Sequence, residues 1–305
     1  MIKEVSNMKN ADAFSGYHPL VNFLYFGLVI GFSMFFMHPV CLIISLFCAV
    51  CYHIRLNGRR SLRFVIRYAL PLMLVTAIVN PAFNHQGSVI LCYLPTGNPL
   101  TLESILYGIA ASVMLVSILL WFSCYTAVMT SDKFVYLFGR IIPAMSLVLS
   151  MTLRFVPRFK AQLDAVKEAQ AGMGRDIANG SLWRRLRSAL TCFSIMITWS
   201  LENAIETADS MKSRGYGLRG RTAFSIYTLT ERDKSMLIWL GFCGIYLLSG
   251  SLSGGLDWRY FPSIRGVLAE PLTVSFEIIY LAMCITPVII DGKEERTWRS
   301  LQSKI

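Results

Sequence analysis

Residues 106–129 read LYGIAASVMLVSILLWFSCYTAVM, an apolar stretch without a single charged side chain. A helix needs about 20 mostly apolar residues to cross the roughly 30 Å hydrocarbon core of a bilayer, so this stretch predicts a membrane-spanning helix. The same criterion gives six candidate spans along the chain: 20–37, 39–54, 64–79, 106–129, 236–250 and 272–290. Thr101 followed by Glu103 is expected to start the fourth of them. The sequence therefore predicts an all-α, polytopic integral membrane protein with about six spanning helices.

The composition agrees with lipid as the main solvent of the chain. Hydrophobic residues make up 54% of the 305 residues and charged residues only 15%, whereas a soluble domain usually carries about 25% charged residues. The mean hydropathy of +0.52 points the same way. We expect a multi-pass protein of the cell membrane.

The distribution of basic residues predicts the orientation. Residues 69–131 contain no Lys or Arg, whereas the short segment 55–67 holds five Arg and the segment 130–235 holds 16 of the 29 basic residues. Because basic loops stay in the cytoplasm, both termini, 55–67 and 130–235 are expected inside, and 80–105 and 251–270 outside. The net charge of +11 then reflects orientation and lipid headgroup contact, so no nucleic-acid partner is expected.

The spans divide the chain into three predicted parts. These are an N-terminal membrane region (1–129), a cytoplasmic region (130–235), and a C-terminal membrane region with a cytoplasmic tail (236–305). Within the middle part, 141–153 is apolar but too short to span, and a separate amphipathic helix is expected after Pro157, ending near Gly172 and Gly174. A second long helix carries an apolar stripe at helical spacing, made of Leu190, Phe193, Ile197, Leu201, Ala204, Ala208 and Met211.

The stripe leads into ADSMKSRG, residues 208–215. An Arg in the last turn of a helix favours the helix dipole, and a Gly just beyond it adopts the left-handed conformation that closes many helices. Arg214 and Gly215 are therefore explained by a helix cap alone. In the alternative interpretation, Gly215 ends the helix sharply so that the Arg214 guanidinium projects from its tip toward a partner protein.

The sequence offers little catalytic machinery. It contains no GxxxxGK[ST] phosphate-binding loop, its four histidines show no ligand spacing, and its eight cysteines are expected to be buried, inert thiols. No metal, cofactor or catalytic residue is predicted, and the chain is not expected to be an enzyme. Glu277 is the one carboxylate well inside the last span, which suits either a substrate or ion site or an interfacial position.

Residues 208–217 resemble the second of two Ala-Arg-Gly-type motifs of a known family, the transmembrane T component of energy-coupling factor (ECF) transporters, also called EcfT/CbiQ-like proteins. In this chain Ser213 replaces the alanine of the motif, before Arg214 and Gly215. Pro143 and the run RFVP at 154–157 resemble the approach to the first of the family's two long cytoplasmic coupling helices. The resemblance covers most of the chain and is strongest over 143–221.

The first motif departs from the family pattern. Counted from Ala169-Gln170, it falls on Gly172, Met173 and Gly174, so Met173 stands where the family has Arg. Arg175 follows two positions later. Either Arg175 substitutes from a displaced helix end, or the contact made here is apolar.

The resemblance implies a non-catalytic membrane subunit of an ATP-driven importer for a vitamin or a metal ion. Two ABC-type ATPase subunits would dock at Gly172, Met173, Gly174 and Arg175 and at Ala208, Ser213, Arg214 and Gly215. A separate substrate-binding membrane protein, the S component, would capture the substrate.

Two other classes of protein remain as alternatives. A self-contained secondary transporter would need paired intramembrane charges or broken helices in two related halves. A membrane-embedded enzyme would need a cluster of His, Asp or Cys near a membrane face. The sequence displays neither pattern, and it does not identify the substrate.

Overall fold

The structure is a computed structural model that describes residues 12–93, 99–139, 142–175, 181–218, 227–266 and 270–302. Helices dominate these residues. A short 3₁₀ turn at Phe14–Gly16 precedes α1 (Pro19–Phe35), α2 (Pro39–Asn57), α3 (Arg59–Phe64), a π-helical turn (Val65–Ala69), α4 (Leu70–Phe83), β1 (Ile90–Tyr93), β2 (Pro99–Thr101), α5 (Leu102–Val128), α6 (Ser131–Gly139), α7 (Pro143–Gly172), α8 (Leu182–Ser213), α9 (Glu231–Leu252) and α10 (Pro271–Gln302).

The chain forms two compact units. The first, called here the membrane unit, comprises the described parts of Met1–Thr130 and Tyr227–Ile305; the second, the helical-arm unit, lies within Ser131–Ile226. The three-part division at residues 130 and 236 stays a prediction.

Five described helices are long and apolar enough to cross a bilayer: Pro39–Asn57, Ser61–Phe83, Leu102–Val128, Glu231–Leu252 and Pro271–Gln302. The apolar helix α1 is shorter, at 17 residues. All of these helices belong to the membrane unit. The predicted all-α, polytopic class is confirmed, and the only sheet among the described residues is a two-stranded hairpin.

A side-chain cap marks the start of the spanning helix α5. The Thr101 hydroxyl accepts from the backbone N–H of Ser104 at the start of α5, and the Glu103 carboxylate accepts from the backbone N–H of Ser88 and Val89. The first bond satisfies a backbone donor that the helix itself leaves free, and the others tie the preceding connection to the first turn of α5. The expectation that Thr101 and Glu103 start a span is confirmed.

The start of α9 is tied to the start of α1. Thr230 and Asp233 form a reciprocal capping box, and the Asp233 Oδ1 atom also accepts from the backbone N–H of His18, at 3.0 Å. His18 in turn caps α1, since its Nδ1 accepts from the Leu20 N–H. A single buried carboxylate thus holds two helix starts together.

A polar network lies inside the membrane unit. Ser33 bonds to Ser45 at 2.7 Å and to the Tyr280 hydroxyl at 2.9 Å, and the indole N–H of Trp121 donates to Ser45. All four side chains are buried. Because lipid offers no alternative partner, such hydrogen bonds connect spanning helices, here α1, α2, α5 and α10.

The structure corrects the expected start of the connection 80–105. Asn80 and Pro81 do not belong to a loop, because α4 continues through them to Phe83. The rest of the connection contains the antiparallel pairing of β1 with β2, in register Ile90 to Thr101 and Tyr93 to Pro99. The cysteine in β1, Cys92, is exposed and so departs from the expectation of buried thiols.

The structure also corrects the expected break at Pro157. The apolar run and the amphipathic segment form one helix, α7, which contains Pro157 in its interior and ends at Gly172. A proline removes one intrahelical hydrogen bond and bends or breaks many helices, yet here the helix persists on both sides. At the C-terminus, α10 extends to Gln302, well beyond the expected span end at residue 290.

In the helical-arm unit, α7 and α8 pack through a small apolar cluster. Phe159 of α7 meets Trp199 of α8 edge to face, with ring centroids 5.3 Å apart, and Val166 joins Cys192 and Met196 in the buried centre. The apolar stripe predicted for α8 is on a different face, because Leu190, Phe193, Ile197 and Leu201 are exposed. The helix therefore uses one face for its partner and leaves the stripe uncovered within the described residues of this unit.

The close approach of α4 to α5 generates a first prediction. A Cβ atom at Gly108 would lie 2.8 Å from the backbone oxygen of Ala77, so Gly108→Ala should force the helices apart and cost about 1–3 kcal/mol of stability. The matched control is Gly241→Ala in α9, where no atom lies within 4 Å and the helix should gain slightly. Thermal unfolding of the detergent-solubilised protein measures both. Equal melting temperatures for the two variants would contradict the packing described.

Candidate functional site

The C-terminal end of α8 carries the Arg-Gly step. Gly215 has a φ of +74°, and two backbone bonds close the helix around it: Tyr216 N–H to the Met211 oxygen and Gly215 N–H to the Lys212 oxygen, both 3.0 Å. This is the Schellman arrangement, which requires a left-handed residue just past the helix. Arg214 is the C-cap residue immediately before that turn.

The end of α7 has the same backbone arrangement. Gly174 also has a φ of +74°, with Arg175 N–H bonded to the Gln170 oxygen at 2.9 Å and Gly174 N–H to the Ala171 oxygen at 3.0 Å. Met173 is the C-cap residue. The helix end is therefore in the register that the motif count requires, and it is not displaced toward Arg175.

The hydrogen-bond patterns at the ends of α7 and α8 match residue by residue. Met173 corresponds to Arg214, and Gly174 to Gly215. Arg175 corresponds to Tyr216, the first residue after the left-handed turn, so it leaves the helix at a different place from Arg214. The two helix ends share a backbone but present different chemistry at the cap: a thioether in α7 and a guanidinium in α8.

The cap side chains are available to a partner. Met173 is 61% exposed, and Arg214, Arg175, Gly172, Gly174, Ser213 and Ala208 are also exposed. The Ser213 hydroxyl is used locally, since it donates to the Ser210 oxygen at 2.9 Å. Among the described carboxylates, none lies within 4 Å of the Arg214 guanidinium. Within the described residues, its donors therefore remain available to an acceptor on another molecule.

The sequence-predicted residues thus fall into two groups, one at each helix end. Beyond its contact with α7 at Trp199, α8 continues to Ser213 for about 21 Å at 1.5 Å per residue. Leu201 and Ile205 on this stretch are 62% and 65% exposed. The stretch from residue 200 to Ser213, called here the α8 arm, carries apolar surface that the described helical-arm unit does not cover.

The sequence did not predict that Glu277 would lie beside His38. The Glu277 Oε1 atom of α10 lies 3.1 Å from Nδ1 of His38, which precedes α2, and both residues are buried. The Trp258 ring packs edge to face on the His38 imidazole at 5.3 Å. Residues 38 and 277 are too far apart in sequence for any spacing rule to join them. Within the described residues, no group of three or more His, Cys, Asp or Glu is arranged to hold a metal ion.

Residues 15–224 match the CbiQ family, described as cobalt transport protein, and this match covers more than half of the chain. The chain belongs to the CbiQ family. Among curated relatives, the energy-coupling factor transporter transmembrane protein EcfT 1 of Listeria monocytogenes is 25% identical over 222 residues, covering 68% of this chain and 80% of the relative. EcfT of Thermosediminibacter oceani is 26% identical over 212 residues, covering 65% and 77%.

Another relative has a higher sequence identity over a shorter aligned region. EcfT of Bacillus selenitireducens is 35% identical over 81 residues, which cover 26% of the CbiQ-family chain and 30% of that relative. Together the family and the relatives identify a membrane transport protein and support the T component of an ECF transporter.

The shared geometry of the helix ends in this CbiQ-family protein yields a second prediction. An alanine at Gly174 would have to adopt a left-handed conformation, which costs about 1–2 kcal/mol. Gly174→Ala should therefore accelerate hydrogen exchange of the Arg175 amide about five- to thirtyfold. Gly172→Ala is the matched control, because Gly172 is helical and has no atom within 4 Å of its Cβ position. Similar exchange rates in both variants would contradict the Schellman closure.

Proposed function

We propose that this chain is the coupling subunit of an ECF-type ABC importer, in which two ATPase subunits dock on the ends of α7 and α8. The observation that carries the proposal is the identical closure of two exposed helix ends, one of which presents an Arg without a described carboxylate partner. A guanidinium provides five donors in a fixed fork, which suits a carboxylate or a group of carbonyl oxygens on a partner.

In this proposal the helices transmit motion. ATP binding would bring the two ATPase subunits together, and each would move the helix end on which it is docked. The Phe159–Trp199 contact and its cluster join α7 to α8, so displacement of one helix end is passed to the other helix. The α8 arm gives this movement a lever of about 21 Å.

The moving helices would act on a separate S component in the membrane, which would capture a vitamin or a metal ion. The long apolar segment Ser61–Phe83 supports a membrane partner of this kind. Only 6% of its apolar window is buried within the chain, against 33–44% for the other four long apolar helices. We propose that the S component covers part of this surface. We also propose cytoplasmic termini and six passes, on the charge distribution.

The docking proposal is tested by removing the exposed guanidinium. Arg214→Ala should weaken association with the ATPase subunits by about 2 kcal/mol or more, as expected for a central charged anchor, and should abolish uptake. Co-purification of the ATPase subunits and uptake of labelled substrate in cells measure these effects. The amount of Arg214→Ala protein in the membrane should remain that of the wild type.

Lys212→Ala is the matched control, because Lys212 is an exposed cation in the last turn of the same helix but is not its cap residue. It should retain both association and uptake. Normal complex recovery and uptake in Arg214→Ala, or equal losses in both variants, would refute a specific anchor at Arg214.

The α7 end makes a separate prediction about Met173. If the contact at this end is apolar, Met173→Glu should reduce ATPase recovery strongly, since a carboxylate would be desolvated against the partner. Arg175→Ala should have little effect, because Arg175 corresponds to Tyr216 rather than to Arg214. The opposite order of effects would mean that Arg175 replaces the missing arginine of the motif.

The His38–Glu277 pair is the one observation that favours the rival function, a self-contained secondary transporter, since buried titratable pairs often mark proton or ion paths. However, Glu277 lies in the first two turns of α10, and His38 lies just before α2. Secondary transporters bind their substrates near the bilayer midplane. Substrate uptake by the purified chain alone in liposomes would support this rival and would refute the coupling role.

A further inference from the structure

A groove runs along the membrane unit between α9 and α10, with a volume of about 660 Å³. Its wall is apolar over most of its length and includes Trp239 from α9 and Ile278, Leu281, Ile285 and Ile289 from α10. From residue 278 to residue 293 the groove follows α10 for about 22 Å. One leaflet of the hydrocarbon core is about 15 Å thick, so the groove is long enough to hold an acyl chain of one leaflet.

One end of the groove is cationic. Arg232, at the start of α9, and Lys293, on α10, both line it. The Arg232 guanidinium lies over the ring of Tyr17 at 4.1 Å from its centroid, which holds the charge at the mouth of the groove.

Two of the nearby acidic groups, Asp233 and Glu231, have hydrogen-bond or ion-pair partners of their own. Asp233 accepts from the backbone N–H groups of His18 and Thr230, and Glu231 pairs with Lys234 at 2.7 Å. Among the described carboxylates, none lies within 4 Å of the Arg232 or Lys293 charge. Within the described part of the chain, neither cation forms an ion pair, and Asp233 and Glu294 act on this end of the groove only through longer-range electrostatics.

We propose that this groove binds an anionic phospholipid, with one acyl chain along the apolar wall and the phosphate between Arg232 and Lys293. An apolar channel that is open to lipid is filled by hydrocarbon, whereas two neighbouring cations at its surface end select for a negatively charged headgroup. The site is formed by residues of the membrane unit alone, and none of them belongs to the helix ends proposed to dock ATPase subunits, so it goes beyond the coupling function. The proposed orientation assigns it to the cytoplasmic leaflet.

Trp239 provides a direct reporter, because its indole lines the groove and its N–H donates to the Thr286 hydroxyl at 3.4 Å. The full chain is reconstituted into phosphatidylcholine vesicles that contain either brominated phosphatidylglycerol or brominated phosphatidylcholine as the quencher. Subtracting the signal of Trp239→Phe isolates the fluorescence of this one residue. We expect brominated phosphatidylglycerol to quench Trp239 at a several-fold lower mole fraction than brominated phosphatidylcholine.

The cations should account for that preference. Arg232→Gln and Lys293→Gln should each reduce it about fivefold, and the double variant should abolish it. Lys234→Gln is the matched control, because Lys234 lies on the same turn of α9 but is paired with Glu231 and does not line the groove. Ala282→Phe, which fills the groove, should reduce quenching by both lipids, whereas Ile245→Phe on an exposed position of α9 outside the groove should not.

Several results would overturn the proposal. Equal quenching by the two lipids, or an equal loss in Lys234→Gln and Arg232→Gln, would exclude a specific anionic site. Displacement by inorganic phosphate would identify a free anion rather than a lipid. Loss of Trp239 quenching when the ATPase and membrane partners are co-reconstituted would mean that a protein covers the groove. Because these measurements do not depend on transport, the lipid site can be refuted while the coupling function stands. Equally, the coupling function can be refuted while the lipid site stands.

Discussion

The hydrocarbon interior of a bilayer offers no hydrogen-bond partner to a backbone N–H or C=O group, and the membrane unit is organised around that constraint. Helices satisfy their own backbone, and the groups left over at their starts are met by side chains such as Thr101 and the Thr230–Asp233 box. Asp233 goes further, because it also accepts from His18 and so links two helix starts. In the interior of the membrane unit, the hydrogen bonds of Ser33 with Ser45 and Tyr280 satisfy polar side-chain groups in the same way that the helices satisfy backbone groups.

The helical-arm unit also satisfies backbone groups at its helix ends. At the ends of α7 and α8, a left-handed glycine lets the N–H groups that follow bond to carbonyl oxygens of the last turn. This closure turns the chain sharply after the C-cap residue, so the C-cap side chain stands at the tip. The cap and the docking interpretations of Arg214 are therefore compatible: the same turn that caps the helix also directs the guanidinium outward.

Much of this architecture could be predicted from local sequence. Apolar length identified the spans, Thr101 and Glu103 marked a helix start, and Gly172 and Gly174 marked the end of α7, because each is a property of neighbouring residues. The continuity of α7 through Pro157 could not be predicted, since propensity alone favours a break there. The packing face of α8 was also missed. The residues that pack against α7 are Cys192, Met196 and Trp199, which do not belong to the strongest apolar periodicity of α8. The residues of the apolar stripe itself remain exposed.

The structural equivalence of Met173 and Arg214 sharpens the question of symmetry between the two proposed docking sites. With the backbones alike, any difference between the sites comes from the cap side chains and their surroundings. A guanidinium contact is directional, and ions screen it where it is exposed. A thioether contact is adaptable in shape, and salting-out ions strengthen it through the hydrophobic effect. Two ATPase subunits docked on this chain would thus be held by forces of different physical origin, although the helices that carry them end in the same way.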